Sequence, residues 1–550
     1  MKSKSILQIS TLVIVPFLLF ACKKDKKQIF EDAKQATVTI YTFDEYGAPA
    51  GNASGFFIDK NGTGITNYHV LHKSVKAIVK TADNQEFEID SVLVSDRKKD
   101  IIKFKVKNPN NKKFKYLTFS KTEINQGDAI YNVSSPLGLE QTVSEGIISA
   151  IRSDSHGDII QVSAPISEGS SGSAILNQDG DVIAVSTYTY KKGQNLNFGV
   201  KLDEEILGSI TSNDFDKSNK KFNSKDNYVI INSRSTNNPS VILHALEFKK
   251  DATIAYLSYT NLDISEGEKT YIWVNLNKKD NGFYLLDLNT DKKYYIVSST
   301  IGDSRENGTE VPLASSYRFK LTFPPIKKPS ELETIDIVEG KSKKGWKFED
   351  INLSDYRTAL LYDEESYNKN YGYLCMHDGD LDNASYVFLS ILEDNPEDEE
   401  ALNALGIIAL VEGNNKDALD YFTEAVEQHP NSVTGLKNRA AYYSLQEDYN
   451  EALKDLNHVV SIEGNNPENY LLRYSLYSKM EKWNLAIKDL NEVLKSSDYS
   501  EDGNIYYLRA YLYALTQNWK NANEDLRTAY KYADNKELEK MITELYQAIP

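Results

Sequence analysis

Five alanines recur in the last third of the chain at near-constant spacing. Ala384, Ala418, Ala452, Ala486 and Ala522 are separated by 34, 34, 34 and 36 residues. Four residues after each stands a large apolar side chain: Phe388, Phe422, Leu456, Leu490 and Leu526. Gly372 and Gly406 precede the first two alanines by twelve residues, and Pro396 and Pro430 follow them by twelve. Residues four apart share one helix face. A small side chain on that face lets a second helix approach closely, and the large one a turn later fills the gap to the next unit. This period therefore predicts a stack of helix pairs over residues 366–550, each burying its apolar face against its neighbours.

The period and phase resemble the tetratricopeptide repeat. The resemblance implies an array whose concave face binds a protein partner or client. It accounts for only the last third of 550 residues. At roughly 100–200 residues per domain, three or four domains are expected. Hydrophobic residues at 40% and charged residues at 26% suit a globular protein. The formal net charge of −17 argues against a nucleic-acid partner, because a phosphate backbone needs Lys/Arg-rich faces. Two cysteines, Cys22 and Cys375, are not a disulfide framework. No metal spacing such as His-Glu-x-x-His or Cys-x-x-Cys occurs.

The N-terminus reads as a targeting segment. Lys2 and Lys4 precede an apolar run from Ile6 to Ala21. The run is shorter than the roughly 20 residues of a spanning helix, and cations precede it and a small residue ends it. It closes Leu19-Phe20-Ala21-Cys22, which resembles a bacterial lipobox. In that family the chain is cut before the cysteine, which becomes acylated. The resemblance implies lipid attachment at Cys22, membrane association through that lipid, and residence in the cell envelope on the outer-membrane or periplasmic face. A plain secretory signal or a short membrane anchor is the alternative. Residues 1–22 are thus the signal and lipobox, and 23–29, opening Lys23-Lys24-Asp25-Lys26-Lys27, a solvated tether.

Residues 30–207 read as many short strands. Val38–Thr42, Gly55–Ile58 and Ile101–Val106 are rich in β-branched and aromatic residues. Turn signals at Lys60-Asn61-Gly62, Asn108-Pro109-Asn110 and Gln178-Asp179-Gly180 separate such runs, the pattern of an all-β barrel or sandwich. Residues 208–226 are polar and turn-forming, as in a linker. Residues 227–353 are again β-rich, with Thr270–Val274, Lys293–Val297 and Arg318–Phe323 spaced as in a β-sandwich. The runs Phe319–Pro325, Ile335–Gly340 and Trp346–Phe348 look like an immunoglobulin-like module.

Three separated motifs in residues 30–207 carry chemistry. Hydrolysis of an amide at neutral pH needs a nucleophile, a base to take its proton and donors for the developing oxyanion. A serine hydroxyl needs a neighbouring His, itself held in one tautomer by a carboxylate. Gly55–Gly62 followed by Ile65-Thr66-Asn67-Tyr68-His69-Val70 resembles HtrA-type trypsin-like serine proteases, with His69 on the catalytic histidine. Asp100-Ile101-Ile102-Lys103-Phe104 matches an acidic residue that opens an apolar strand in the same family. Gly169-Ser170-Ser171-Gly172-Ser173-Ala174 resembles the Gly-Asn-Ser-Gly-Gly-Pro nucleophile loop, with Ser171 on the serine. Ser170, Ser173 and Ala174 depart from that pattern. Pro136–Ser149 and Asn197–Val200 look like further strands of the family.

The resemblance implies two six-stranded barrels with His69, Asp100 and Ser171 between them. It implies an oxyanion hole of backbone amides from Gly169, Ser170 and Ser171, and cleavage of polypeptide substrates through an acyl-enzyme, with no metal or cofactor. The strand around Ser186-Thr187-Tyr188 should flank the primary specificity pocket. His72, His156, His244, His377, His429 and His458 read as structural. The fold expected is a trypsin-like double barrel, a β-sandwich and an all-α repeat solenoid. A catalytically inactive lipoprotein scaffold for protein–protein interaction is the competing reading.

Overall fold

A computed structural model describes residues 25–549, apart from internal segments of which 136–141, 190–196 and 210–227 are the longest. The signal and lipobox, including Cys22, and nearly all of the 208–226 linker lie outside the described residues. Asp25 caps a helix over Lys26–Ala36, its Oδ1 accepting the Gln28 N–H at 2.7 Å. This helix begins inside the segment expected to be a tether. The reason is burial: Ile29, Ala33 and Ala36 recur at helical spacing and enter a core with Phe56, Ile65, Val133, Leu176 and Val185.

Twelve strands follow: β1 (Thr37–Phe43), β2 (Pro49–Phe57), β3 (Thr63–Thr66), β4 (Lys76–Thr81), β5 (Glu86–Asp96), β6 (Ile101–Val106), β7 (Ala129–Ser134), β8 (Thr142–Asp154), β9 (Gly157–Val162), β10 (Ala174–Leu176), β11 (Val182–Thr189) and β12 (Asn197–Lys201). The first six close in the order β1-β2-β3-β6-β5-β4, and the second six in the order β10-β11-β12-β9-β8-β7. Closure leaves no unpaired strand edge. The turn at Asn61–Gly62 joins β2 to β3, and Gln178–Gly180 lies between β10 and β11, as their turn chemistry predicts.

The chain divides into two compact units. The first comprises residues 1–40, 52–72 and 79–218, and the second 41–51, 73–78 and 219–550. Within the second, a five-stranded antiparallel sheet runs Tyr228–Arg234, Val241–Phe248, Thr253–Asn261, Ser315–Phe323 and Ser298–Ser299. A four-stranded sheet runs Lys292–Tyr295, Phe283–Asp287, Thr334–Glu339 and Lys347–Asn352. Leu243, Leu257 and Phe319 of the first sheet share one core with Phe283, Ile337 and Phe348 of the second. The same unit holds residues 41–51. There the hydroxyl of Tyr367 lies 2.7 Å from the Gly51 carbonyl and 2.8 Å from that of Thr42. It accepts the Thr42 and Gly51 amides at 3.1 and 3.3 Å. Asp44 pairs with Arg318 beside it.

From Glu364 the unit is helical. Helix pairs 364–377/381–394, 399–411/415–428, 433–445/449–462, 467–479/483–493 and 503–515/519–531 precede a last helix, Lys536–Ala548. The five alanines of the repeat are buried, and so are the five large residues that follow them. Gly406 shows why the helices must cross so closely: a Cβ added there would sit 2.4 Å from the Phe422 ring. A second repeating device accompanies this one. Arg439, Arg473 and Arg509 each grip Asp455, Asp489 and Asp525 with two parallel hydrogen bonds of 2.7–2.9 Å, always sixteen residues apart.

Candidate active site

The Gly169–Ala174 loop is built around glycine. Gly172 has φ +84°, and a Cβ on it would lie 2.2 Å from both the Ser54 carbonyl oxygen and Thr66 Oγ1. Only glycine tolerates that conformation against that wall. Ser54, on β2, holds the loop from behind. Its N–H donates to the Ser171 carbonyl at 2.8 Å and its hydroxyl donates to the Gly169 carbonyl at 2.8 Å. The Ser54 carbonyl accepts Thr66 Oγ1 at 2.8 Å. Gly169 also has a positive φ, +81°.

The departures from the family's loop sequence have physical roles. Ser173 is buried and donates to Asn132 Oδ1 at 2.8 Å. Ser170 is buried and donates to Ser134 Oγ at 3.2 Å. Both hydroxyls therefore knit the loop to β7. Ala174 opens β10 and pairs with Val133 on β7 and Val185 on β11.

His69 sits on a single helical turn, Tyr68–Leu71, that follows Asn67. Asn67 donates from Nδ2 to the Asp100 carbonyl at 2.9 Å. Asp100 is held at φ +54°, a conformation an L-residue adopts at some cost when its surroundings fix it. Its Oδ1 accepts the backbone N–H of His69 at 2.9 Å and its Oδ2 lies 2.8 Å from His69 Nδ1. A carboxylate can only accept, so Nδ1 is the donor in this pair. The Asp100 side chain is 18% exposed and that of His69 50%. The ring is thus half open to solvent while the carboxylate that contacts it is sheltered.

Asp100 Oδ2 has another donor: Thr187 Oγ1, at 2.7 Å. The carbonyl of the same Thr187 accepts Ser171 Oγ at 3.4 Å. Thr187 thus touches both Asp100 and Ser171, while no hydrogen bond joins Ser171 Oγ to the His69 ring. Sequence reading placed Thr187 beside the specificity pocket and missed its bond to Asp100. Nothing in the local residue pattern signals a contact across 87 positions. Ser186 Oγ, next to it, is buried without a hydrogen-bond partner among the described residues.

The other histidines have other surroundings. His72 stacks on Tyr68, and His244 is enclosed in the second unit between Asn232 and Ser258. His377 contacts Asp378 and His429 the Glu397 carbonyl. His156 lies outside the described residues.

Residues 53–185 match the family model described as a trypsin-like peptidase domain, and residues 376–433 match the tetratricopeptide repeat. The chain carries a trypsin-like peptidase domain followed by tetratricopeptide repeats. The peptidase domain is similar to a chloroplastic Do-like protease of Arabidopsis thaliana, 29% identical over 31% of this chain and 40% of that one. It is similar to a probable periplasmic DegP-like serine endoprotease of Rhizobium meliloti, 32% identical over 30% of this chain and 33% of that one. It also resembles the serine endoprotease DegS of Haemophilus influenzae, 28% identical over 34% of this chain and 60% of that one. The chain thus spans less than two thirds of each of these relatives. Ser54, Thr66, His69, Asp100 and Ser171 all fall within the matched peptidase segment.

Proposed function

We propose that the chain is a membrane-anchored serine endopeptidase in which Ser171 attacks, His69 takes its proton and Asp100 orients His69. The observation that carries this reading is the double acceptance by Asp100 of the His69 amide and of Nδ1. It leaves Nε2 as the exposed basic nitrogen. Ser171 Oγ would bond to the scissile carbonyl carbon as its proton passes to Nε2. The negative charge on the carbonyl oxygen would be met by backbone amides of Gly169, Ser170 and Ser171. Collapse of that intermediate breaks the C–N bond, with His69 returning the proton to the leaving amine. Water then hydrolyses the acyl-enzyme by the same relay. Apo hydrogen bonds at such sites are commonly long and tighten in the substrate complex, so the Ser171–His69 bond forms on binding.

The repeats recruit a partner or client polypeptide, and acylated Cys22 holds the chain in the cell envelope. Periplasmic placement of a DegP-like relative and the sequence of the N-terminal run support that location. The chain lacking residues 1–22 should cleave casein. Ser171→Ala should abolish that cleavage with the circular dichroism unchanged, and equal cleavage by both forms rejects Ser171.

A second reading, an inactive scaffold, draws support from the Ser171 hydroxyl facing the Thr187 carbonyl rather than His69. A fluorophosphonate probe separates the two. Labelling that requires both Ser171 and His69 favours the peptidase, and no labelling favours the scaffold.

A further inference from the structure

The first unit holds a cavity of about 600 Å3 that contains none of His69, Asp100 or Ser171. Five lysines line it, Lys34, Lys80, Lys112, Lys113 and Lys115, against two acids, Glu31 and Asp83. This local positive excess occurs in a chain of net charge −17. The acids do not neutralise it. Asp83 is engaged by Lys112 at 2.6 Å and by the Thr81 hydroxyl at 2.6 Å. Glu31 accepts from Gln35 at 2.8 Å. Lys113 reaches the amide oxygen of Asn61 at 3.2 Å. The ammonium groups of Lys34 and Lys115 have no ion pair or hydrogen bond among the described residues.

The cavity also has a polar wall. Thr39 and Ser135, both buried, line it with hydroxyls 2.5 Å apart. Its one aromatic lining residue, Phe114, is occupied by other side chains. Lys112 lies over the Phe114 ring at 5.7 Å, and Phe57 and Phe87 pack on it. No ring face is left for a nucleobase or an apolar ligand to stack on. The lysines come from the helix Lys26–Ala36, from β4 and from the stretch after β6, so the chain folds distant cations toward one concavity. A concave wall of one sign focuses the field inside it. Lysine ammonium is a compact charge well suited to phosphate oxygens. The volume falls within the roughly 300–1,000 Å3 of small-molecule sites, more than one tetrahedral anion fills.

We propose that this cavity binds a phosphate-bearing anion, either the head group of a lipid or a soluble phosphate compound. Lys34 also lines a second depression with Lys26 and Lys27; Lys26 pairs with Glu145 at 2.5 Å and Glu31 stands beside Lys34, so Lys27 and Lys34 carry the basic surface toward the start of that helix. This continuity reaches the residues next to the proposed lipid attachment and favours the head group.

The test uses the full chain in a zwitterionic detergent. Inorganic phosphate and pyrophosphate are titrated by calorimetry, and partition is compared between phosphatidylcholine vesicles with and without phosphatidylglycerol. The expected result is saturable binding to at least one probe. The double variant Lys34→Gln/Lys115→Gln should weaken it roughly tenfold or more, and Lys34→Arg/Lys115→Arg should restore it. Binding of the soluble phosphates identifies a free compound as the source; preference for phosphatidylglycerol vesicles alone identifies the head group. No binding to any probe, or equal binding by wild type and the Gln variant, overturns the proposal. Neither lysine touches His69, Asp100 or Ser171, so fluorophosphonate labelling of the variants stays at the wild-type rate. Failure here is thereby distinguishable from failure of the peptidase reading.

Discussion

The Thr187 hydroxyl donates to Asp100 Oδ2 across 2.7 Å, spanning 87 residues of sequence. With the two contacts from His69, this gives the carboxylate three donors, two of them on Oδ2. Thr187→Val keeps the shape and removes the donor. A hydrogen bond to a charged group is worth about 1.5–3 kcal/mol, so kcat on casein should fall roughly tenfold to a hundredfold with KM nearly unchanged. Thr187→Ser should recover most of it. A rise in KM without loss of kcat would assign Thr187 to substrate binding instead.

Gly172→Ala places a methyl group 2.2 Å from the Ser54 carbonyl oxygen and forces an L-residue to φ +84°. Neither neighbour is a flexible chain end, so the loop must move. Activity should be lost, and the first unit should lose at least ~2 kcal/mol in urea denaturation. Retention of wild-type stability would mean that the loop shifts freely.

His244 is enclosed, and burial, with the Arg318 charge adding to it, pushes its pKa down to about 3. An unfolded histidine titrates near ~6.5. The unfolded chain therefore takes up the proton first, and the stability from neutral His244 is present above pH ~6.5 and lost as pH falls toward 3. The unfolding free energy of the second unit, read from urea denaturation, should drop on going from pH 7 to 5, by up to ~1.4 kcal/mol per pH unit below ~6.5. His244→Gln should flatten that slope, and an unchanged slope would remove His244 as its cause.

Asp489 is only 4% exposed and both its oxygens are held by Arg473. Arg473→Met leaves a buried carboxylate without its cation, which typically costs about 3–5 kcal/mol. The double change Arg473→Met/Asp489→Leu removes both charges and should recover most of the loss in a thermal melt. Equal loss in both variants would show that packing, not charge, sets the penalty.

Metabolic labelling with a fatty-acid analogue should mark the wild-type chain and not Cys22→Ser. A soluble, unlabelled wild-type chain would reject acylation.

Much of this was legible in the sequence because the relevant signals are local or periodic. The alanine period requires close helix pairs, and Gly406 lies against the Phe422 ring so closely that a Cβ there would sit 2.4 Å from it. The motifs around His69, Asp100 and Ser171 carry their chemistry in adjacent residues, and folding brings His69 and Asp100 into contact. What was not legible is pairwise and distant. Thr187 meets Asp100, Ser54 supports Gly169 and Ser171, and lysines from three segments converge on one cavity, none of which any single window records. The arginines at 439, 473 and 509 did carry a readable signal. They repeat at the spacing of Ala452, Ala486 and Ala522, and their partners Asp455, Asp489 and Asp525 keep the same spacing.

Tyr367 has a consequence for how freely this gene could be cut and rejoined. Its hydroxyl accepts the amides of Thr42 and Gly51 and shares its one proton between their carbonyls, more than three hundred positions upstream. An open reading frame trimmed after β12 would strand those groups, and their burial would have to be relieved by solvent or by a new neighbour. The stretch 41–51 is therefore not a segment that recombination can part from Tyr367 without cost. Its inheritance is tied to the first helix of the array that follows, so exchange of repeats should be tolerated only downstream of that tyrosine.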